Sequence, residues 1–127
     1  MNTFPPIAAH GLFAFLASTC LTVAVAGTAN PLFGEWARDS RQCSEAELSF
    51  QPEHATIRID ADGEPVVFDY PTVRYVINGH RVSVDLGRKH PYGKTPDKKN
   101  LHFTSKSPDQ IWLQLRKGKI QAFIRCS

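Results

Sequence analysis

Between Gly87 and Asn100 the chain reads Gly-Arg-Lys-His-Pro-Tyr-Gly-Lys-Thr-Pro-Asp-Lys-Lys-Asn, five cations against one carboxylate. Two prolines and two glycines leave it no helical or strand period. It reads as a long loop, and long loops in compact domains are either functional or mobile. Arg88, Lys89, Lys94, Lys98 and Lys99 surround Tyr92, with His90 adjacent. Cations grouped about one aromatic ring suit an acidic protein face, an anionic lipid headgroup or a glycan phosphate.

The whole chain supports that reading. Gly27 to Tyr70 holds three basic and nine acidic residues, whereas Pro71 to Ser127 holds twelve basic and three acidic. Such asymmetry between halves suggests an anionic partner for the basic half. A competing explanation is that neighbouring strands interleave acid with base and leave only a solvated surface. The partner expected is a protein or an anionic envelope component. Nucleic acid is not expected, because no platform of several exposed aromatics is present. A second candidate contact is the pair Trp112 and Phe123.

Catalytic patterns are sparse. His54, His80, His90 and His102 show no H-x-H or H-E-x-x-H spacing, so no metal is expected. There is no Gly-rich phosphate loop and no G-x-S-x-G elbow, so no cofactor is expected and the chain reads as non-enzymatic. Asp60 and Asp62 flank a turn, where bonding to the backbone explains them. A hydrolase whose site forms only on folding is the distant alternative.

The elements that must carry the loop are strands. Ile111 to Cys126 alternates apolar and polar residues on both sides of Lys117-Gly118, a strand-turn-strand pattern. A two-residue turn there sets Leu115 opposite Ile120, Leu113 opposite Ala122 and Ile111 opposite Ile124, with Cys126 facing the core. Trp112 then meets Phe123 on the other face. Asp62-Gly63, a favoured hairpin turn, sets Ile59 opposite Val66 and Ile57 opposite Phe68. Asn78-Gly79 sets Tyr75 opposite Val82 and Val73 opposite Val84. A loop over Ser105 to Asp109 sets Phe103 opposite Ile111. Glu47 to Phe50 also alternates, after a polar segment, Asp39 to Glu45, that is a loop or one helical turn. The fold class is all-β: a small antiparallel meander of about eight strands, as a closed barrel or a flattened sandwich.

An N-terminal segment precedes this domain. Met1 to Asn30 contains no Asp, Glu, Lys or Arg, and Ala24-Val25-Ala26 closes an apolar run. This is the pattern of a secretory signal with an A-x-A cleavage site. The expected division is a signal peptide over 1–26 and one exported β domain over 27–127, periplasmic or secreted. Membrane contact is expected only through an uncleaved anchor or an N-terminus lipidated at Cys20. Removing the signal leaves Cys43 and Cys126, and an exported pair forms a disulfide.

Gly34-Glu35-Trp36 opens the first strand. It resembles the G-x-W opening of lipocalins and related calycin-type β-barrels. The resemblance implies a Trp that closes one end of the barrel and an Arg from the last strand packed over it, here Arg125. It also implies a rival function, a small-molecule carrier with a cavity lined by Ile57, Phe68, Tyr75, Val84 and Leu113. The leading expectation is a small exported non-enzymatic binding protein of inhibitor, immunity or adaptor type. Size, signal and disulfide are similar to those of periplasmic lysozyme inhibitors, although their S-G-x-x-Y loop is missing here.

Overall fold

The structure is a computed structural model, and residues 29–126 are described. The signal peptide expected over 1–26, its A-x-A site and Cys20 lie outside the described residues. The chain divides into two units between Asn30 and Pro31.

Nine strands build the unit that begins at Pro31: β1 Gly34–Ala37, β2 Leu48–Phe50, β3 Ala55–Ala61, β4 Glu64–Tyr70, β5 Arg74–Asn78, β6 Arg81–Asp85, β7 Asn100–Ser107, β8 Gln110–Gln114 and β9 Ile120–Cys126. They form one antiparallel sheet in the order β4-β3-β2-β1-β9-β8-β7-β6-β5. Every neighbour but one is a sequence neighbour; the exception is β1 beside β9, which joins the first strand to the last. The sheet curls around a core that includes Trp36, Phe50, Ile57, Val84, Leu101, Phe103, Ile111, Leu113 and Phe123, all at most 2 % exposed. The fold is all-β, as the alternation predicts, and takes the form of a curled, barrel-like sheet with β4 and β5 as its edges.

Where polar Asp39 to Glu45 lacks a strand period, a 3₁₀ turn forms over Ser40–Glu45, and the Asp39 side chain caps it by accepting from the Arg41 N–H. This turn carries Cys43, which is disulfide-bonded to Cys126 at a sequence separation of 83.

The hairpin registers follow their turn residues. Asp62 and Gly63 both take positive φ, and the pairing is as predicted: Ile59 with Val66 and Ile57 with Phe68. At the next hairpin the turn is Gly79-His80, with Gly79 at φ 64. Glycine at the first turn position is the type II′ arrangement. Tyr75 therefore meets Val84 and Ile77 meets Val82, two residues from expectation but on the same faces. Phe103 meets Leu113, because a bulge between Ser105 and Ser107 shortens the expected loop.

The last hairpin differs by one residue, and that reverses a face. Arg116–Gly118 form a three-residue turn with Lys117 and Gly118 both at positive φ. Ile111 therefore meets Phe123, and Trp112 meets Ala122. A one-residue slip exchanges the two sides of a strand. Phe123 points into the core, so the expected Trp112–Phe123 pair does not exist. Cys126 also moves, to the face opposite Phe123 and Arg125. There the disulfide pins the 3₁₀ turn across the outer side of β1 and β9.

On the inner side of that seam lies the arrangement that the G-x-W resemblance implies. Trp36 is fully buried and donates its indole N–H to the Leu32 carbonyl at 2.8 Å. Opposite it in the ladder, Arg125 lies over the ring with its guanidinium carbon 4.3 Å from the centroid. The same guanidinium donates to the carbonyls of Phe33 (2.6 Å), Pro31 (3.1 Å) and Pro108 (2.9 Å). Gly34 sits at φ 123, and a Cβ there would lie 2.6 Å from an Arg125 nitrogen. Both its backbone and its surroundings demand glycine.

The seam sets two stability outcomes. Replacing both Cys43 and Cys126 by Ser should lower the unfolding free energy by up to about 4.5 kcal/mol, the loop-closure figure for a bridge this long, read by urea titration. Gly34→Ala should cost at least about 1–3 kcal/mol through backbone strain and displacement of the Arg125 guanidinium. In an Arg125→Ala background the same substitution should cost measurably less, because only the strain remains. Additive costs would show that Arg125 does not dictate the glycine.

Candidate functional site

The segment between β6 and β7 has no ladder to satisfy its backbone, so its own side chains do so. His90 is only 3 % exposed and Thr95 1 %, although both are polar. The Tyr92 backbone N–H donates to His90 Nδ1 at 3.0 Å, and His90 Nε2 lies 3.0 Å from the Asp97 carbonyl. An amide N–H only donates and a carbonyl only accepts, so the imidazole is the neutral Nε2–H form. Thr95 Oγ1 donates to that same carbonyl at 2.6 Å and lies 3.2 Å from Nε2. Burial, the largest influence, lowers the His90 pKa below its ordinary value.

Tyr92 turns inward from this knot. Its ring meets Phe123 edge-on at 6.5 Å, against the hydrophobic core. Burial, reinforced by the Glu47 carboxylate, raises its phenol pKa. The sequence suggested an aromatic grip on the loop surface. The structure corrects this: Tyr92 anchors the loop from beneath. At the start of the loop, Arg88 donates to the Asp69 carbonyl and stands over the Tyr70 ring at 5.0 Å, while the Tyr70 hydroxyl donates to the Lys89 carbonyl at 3.0 Å.

Outside this knot, Arg88, Lys89, Lys94, Lys98 and Lys99 are all exposed. The loop's one acid does not neutralise them by direct contact. Asp97 accepts from the Asn100 side-chain amide at 3.0 Å and lies 3.7 Å from His102 Nε2. The Asn100 hydrogen bond is the main reason its pKa lies below the ordinary carboxylate value. The site is thus a pinned loop with its cations facing solvent.

Sequence spacing missed a neighbour. The Arg116 backbone N–H donates to the Lys94 carbonyl at 2.7 Å, and its Nε donates to the Thr95 carbonyl at 2.9 Å. The β8–β9 turn, with exposed Arg116, Lys117 and Lys119, is therefore bound to the loop. The signal available in the sequence was the Arg-Lys-Gly-Lys run itself, four residues that a turn was certain to expose.

Trp112 and Phe123, the other predicted contact, are separated. Phe123 is fully buried, whereas Trp112 lies half-buried on the outer face with Lys106 Nζ 4.3 Å above its ring.

A cavity of about 360 Å³ lies beside the 3₁₀ turn, walled by Arg38, Glu47, Arg58, Asp60, Tyr92 and Gln121. Its charges are largely paired: Arg38 Nε is 2.9 Å from Glu47, and Arg58 is 3.4 Å from Glu45. Among the described residues no three His, Cys, Asp or Glu side chains are grouped to hold a metal. His54 lies 2.7 Å from Asp69, and among the described residues no hydroxyl or thiol is bonded to the pair. No helix among the described residues is long and apolar enough to cross a membrane.

The His90 knot gives a pH dependence of definite sign. Neutral His90 is the bonded form, and its folded-state pKa lies below its unfolded value of 6.5. Its stabilisation is complete above about pH 6.5 and is lost as the pH falls from there through the folded-state pKa. Urea titrations across this range should show that fall in the native protein and less of it in His90→Gln. Equal slopes for the two proteins would remove His90 from this role.

Comparison with protein-family models, with curated proteins and with solved structures returned no match.

Proposed function

We propose that this is a small exported binding protein, not an enzyme, that engages an anionic macromolecular partner or envelope component through the loop between β6 and β7. The observation that carries this reading is the division of the loop into two faces. His90 and Thr95 are turned inward and bonded, Tyr92 packs its ring inward, Asp97 is occupied by Asn100 and His102, and all four Lys and the Arg are exposed. A loop fixed in this way presents its charges without the ordering cost that a mobile segment would incur on binding.

The filled interior favours this over a carrier of apolar ligands. Ile57, Val84 and Leu113, the cavity walls that a carrier would need, are fully buried within the core cluster, and Phe68 and Tyr75 pack against it. The cavity beside the 3₁₀ turn is walled by charged side chains and is ill suited to an apolar ligand.

The test is a charge reversal that spares the fold. Arg88 is unsuitable, because it bonds to Asp69 and covers Tyr70. Among the described residues Lys89, Lys98 and Lys99 make no side-chain hydrogen bond or ion pair, so Lys89→Glu, Lys98→Glu and Lys99→Glu are combined. Crosslinking in the envelope fraction followed by mass spectrometry should recover a partner with the native protein and lose it with the triple variant, whose circular dichroism stays native. Recovery of the same partners in the same yield would refute the reading.

A further inference from the structure

We propose that the tip formed by Lys94, Arg116, Lys117 and Lys119 docks on the anionic phosphate headgroups of a membrane surface. This rests on the proposed function, in which the basic surface is the working face, and names its counterpart. Two basic stretches far apart in the chain are fastened into one body by the bonds from Arg116 to the Lys94 and Thr95 carbonyls. The combination brings the two stretches that carry four exposed cations together, with no acid in the turn.

The backbone gives the tip its shape. Lys117 at φ 62 and Gly118 at φ 73 both adopt the left-handed conformation, which doubles the chain back and leaves Lys117 exposed at the apex. A lysine in this conformation is uncommon, and such outliers concentrate where function requires them. Beside Lys119, Ile120 opens β9 with 48 % of its surface exposed. The tip is therefore cationic with an apolar side chain at its root.

That chemistry selects among anionic partners. A bound peptide needs a groove or a free strand edge. Neither the cavity beside the 3₁₀ turn nor a second one, lined by Val76, Arg81, His102 and Phe103, has any of the four cations in its wall, and the free sheet edges, β4 and β5, are not the strands that carry the tip. A single nucleic-acid strand needs exposed rings for its bases, and Tyr92, the aromatic of this loop, faces the core. A plane of headgroups needs neither. It takes separate, hydrated ammonium groups on a projecting tip, and one apolar side chain that can enter the interface. Each such cation strengthens binding to an acidic bilayer about fivefold.

Sedimentation of the full chain with vesicles of phosphatidylglycerol mixed into phosphatidylcholine, and with phosphatidylcholine alone, tests the assignment. The second arm measures any attachment, including that of the N-terminal segment, that does not depend on lipid charge. Binding should be stronger to the acidic vesicles and weaken with added salt. Lys117→Asn, which removes the charge yet tolerates the left-handed backbone, and Lys119→Gln should each lower it about fivefold. Lys106→Ala removes one charge from the other end of the β7–β8 hairpin and should change it little. Equal binding to both vesicle types, or a Lys106→Ala loss matching that of Lys117→Asn, would overturn the proposal. Absent vesicle binding, combined with loss of the crosslinked partner in the Lys89/Lys98/Lys99 variant, would mean that the basic surface reads a protein. Only the membrane assignment would then fail.

Discussion

The seam between β1 and β9 holds the unit together, and Arg125 fastens it from the inside. Strands β1 to β4 are joined to β5 to β9 in the sheet only by this pairing, between residues at the two ends of the domain. Contacts of such long sequence separation are slow to form and costly in chain entropy. They are reinforced here on both faces. On the inner face, one guanidinium covers Trp36 and gathers three carbonyls, from the lead-in to β1 and from the β7–β8 turn. On the outer face, the Cys43–Cys126 bridge ties the 3₁₀ turn to the same pair of strands. Gly34 belongs to this arrangement because no side chain fits beside the guanidinium.

The strands were legible because one face of a curled sheet must be apolar, which imposes a period of two on the sequence. Their exact partners were less legible, and the turns explain why. Asp62-Gly63 suits one turn type, and that register was readable to the residue. Asn78-Gly79 looked equivalent, but Gly79 takes the first turn position and shifts the pairing by two. An even shift preserves the inside and the outside, so the core assignment survives. Lys117-Gly118 grows into a three-residue turn, and the odd shift exchanges the faces of β9. Phe123 and Cys126 therefore trade sides. A turn that contains a left-handed lysine leaves no mark in the alternation on either side of it.

The candidate site divides along the same line. Exposed cations between prolines and glycines are visible in sequence because nothing buries them. The inward half is not, since His90, Tyr92 and Thr95 share no period and find one another only through local bonds. Nor could spacing reveal that Arg116 would reach the Lys94 and Thr95 carbonyls, a contact between loops brought together by the β7–β8 ladder.

A loop built in this way separates two demands that often conflict. Its backbone is fixed by a neutral imidazole, a threonine hydroxyl and a buried aromatic ring, all of them turned away from solvent. Its lysines retain their rotamer freedom, because few of their side chains are bonded to the scaffold. Binding through such a surface gains little from shape and much from summed charge, which speeds encounter more than it sharpens selection. In the proposed function, selectivity would come from where the cations are held, by Arg116 on one side and by Tyr70 and Asp69 on the other. Under the proposed function the loop's inner bonds would matter to recognition even though no partner touches them: they fix the spacing of the charges.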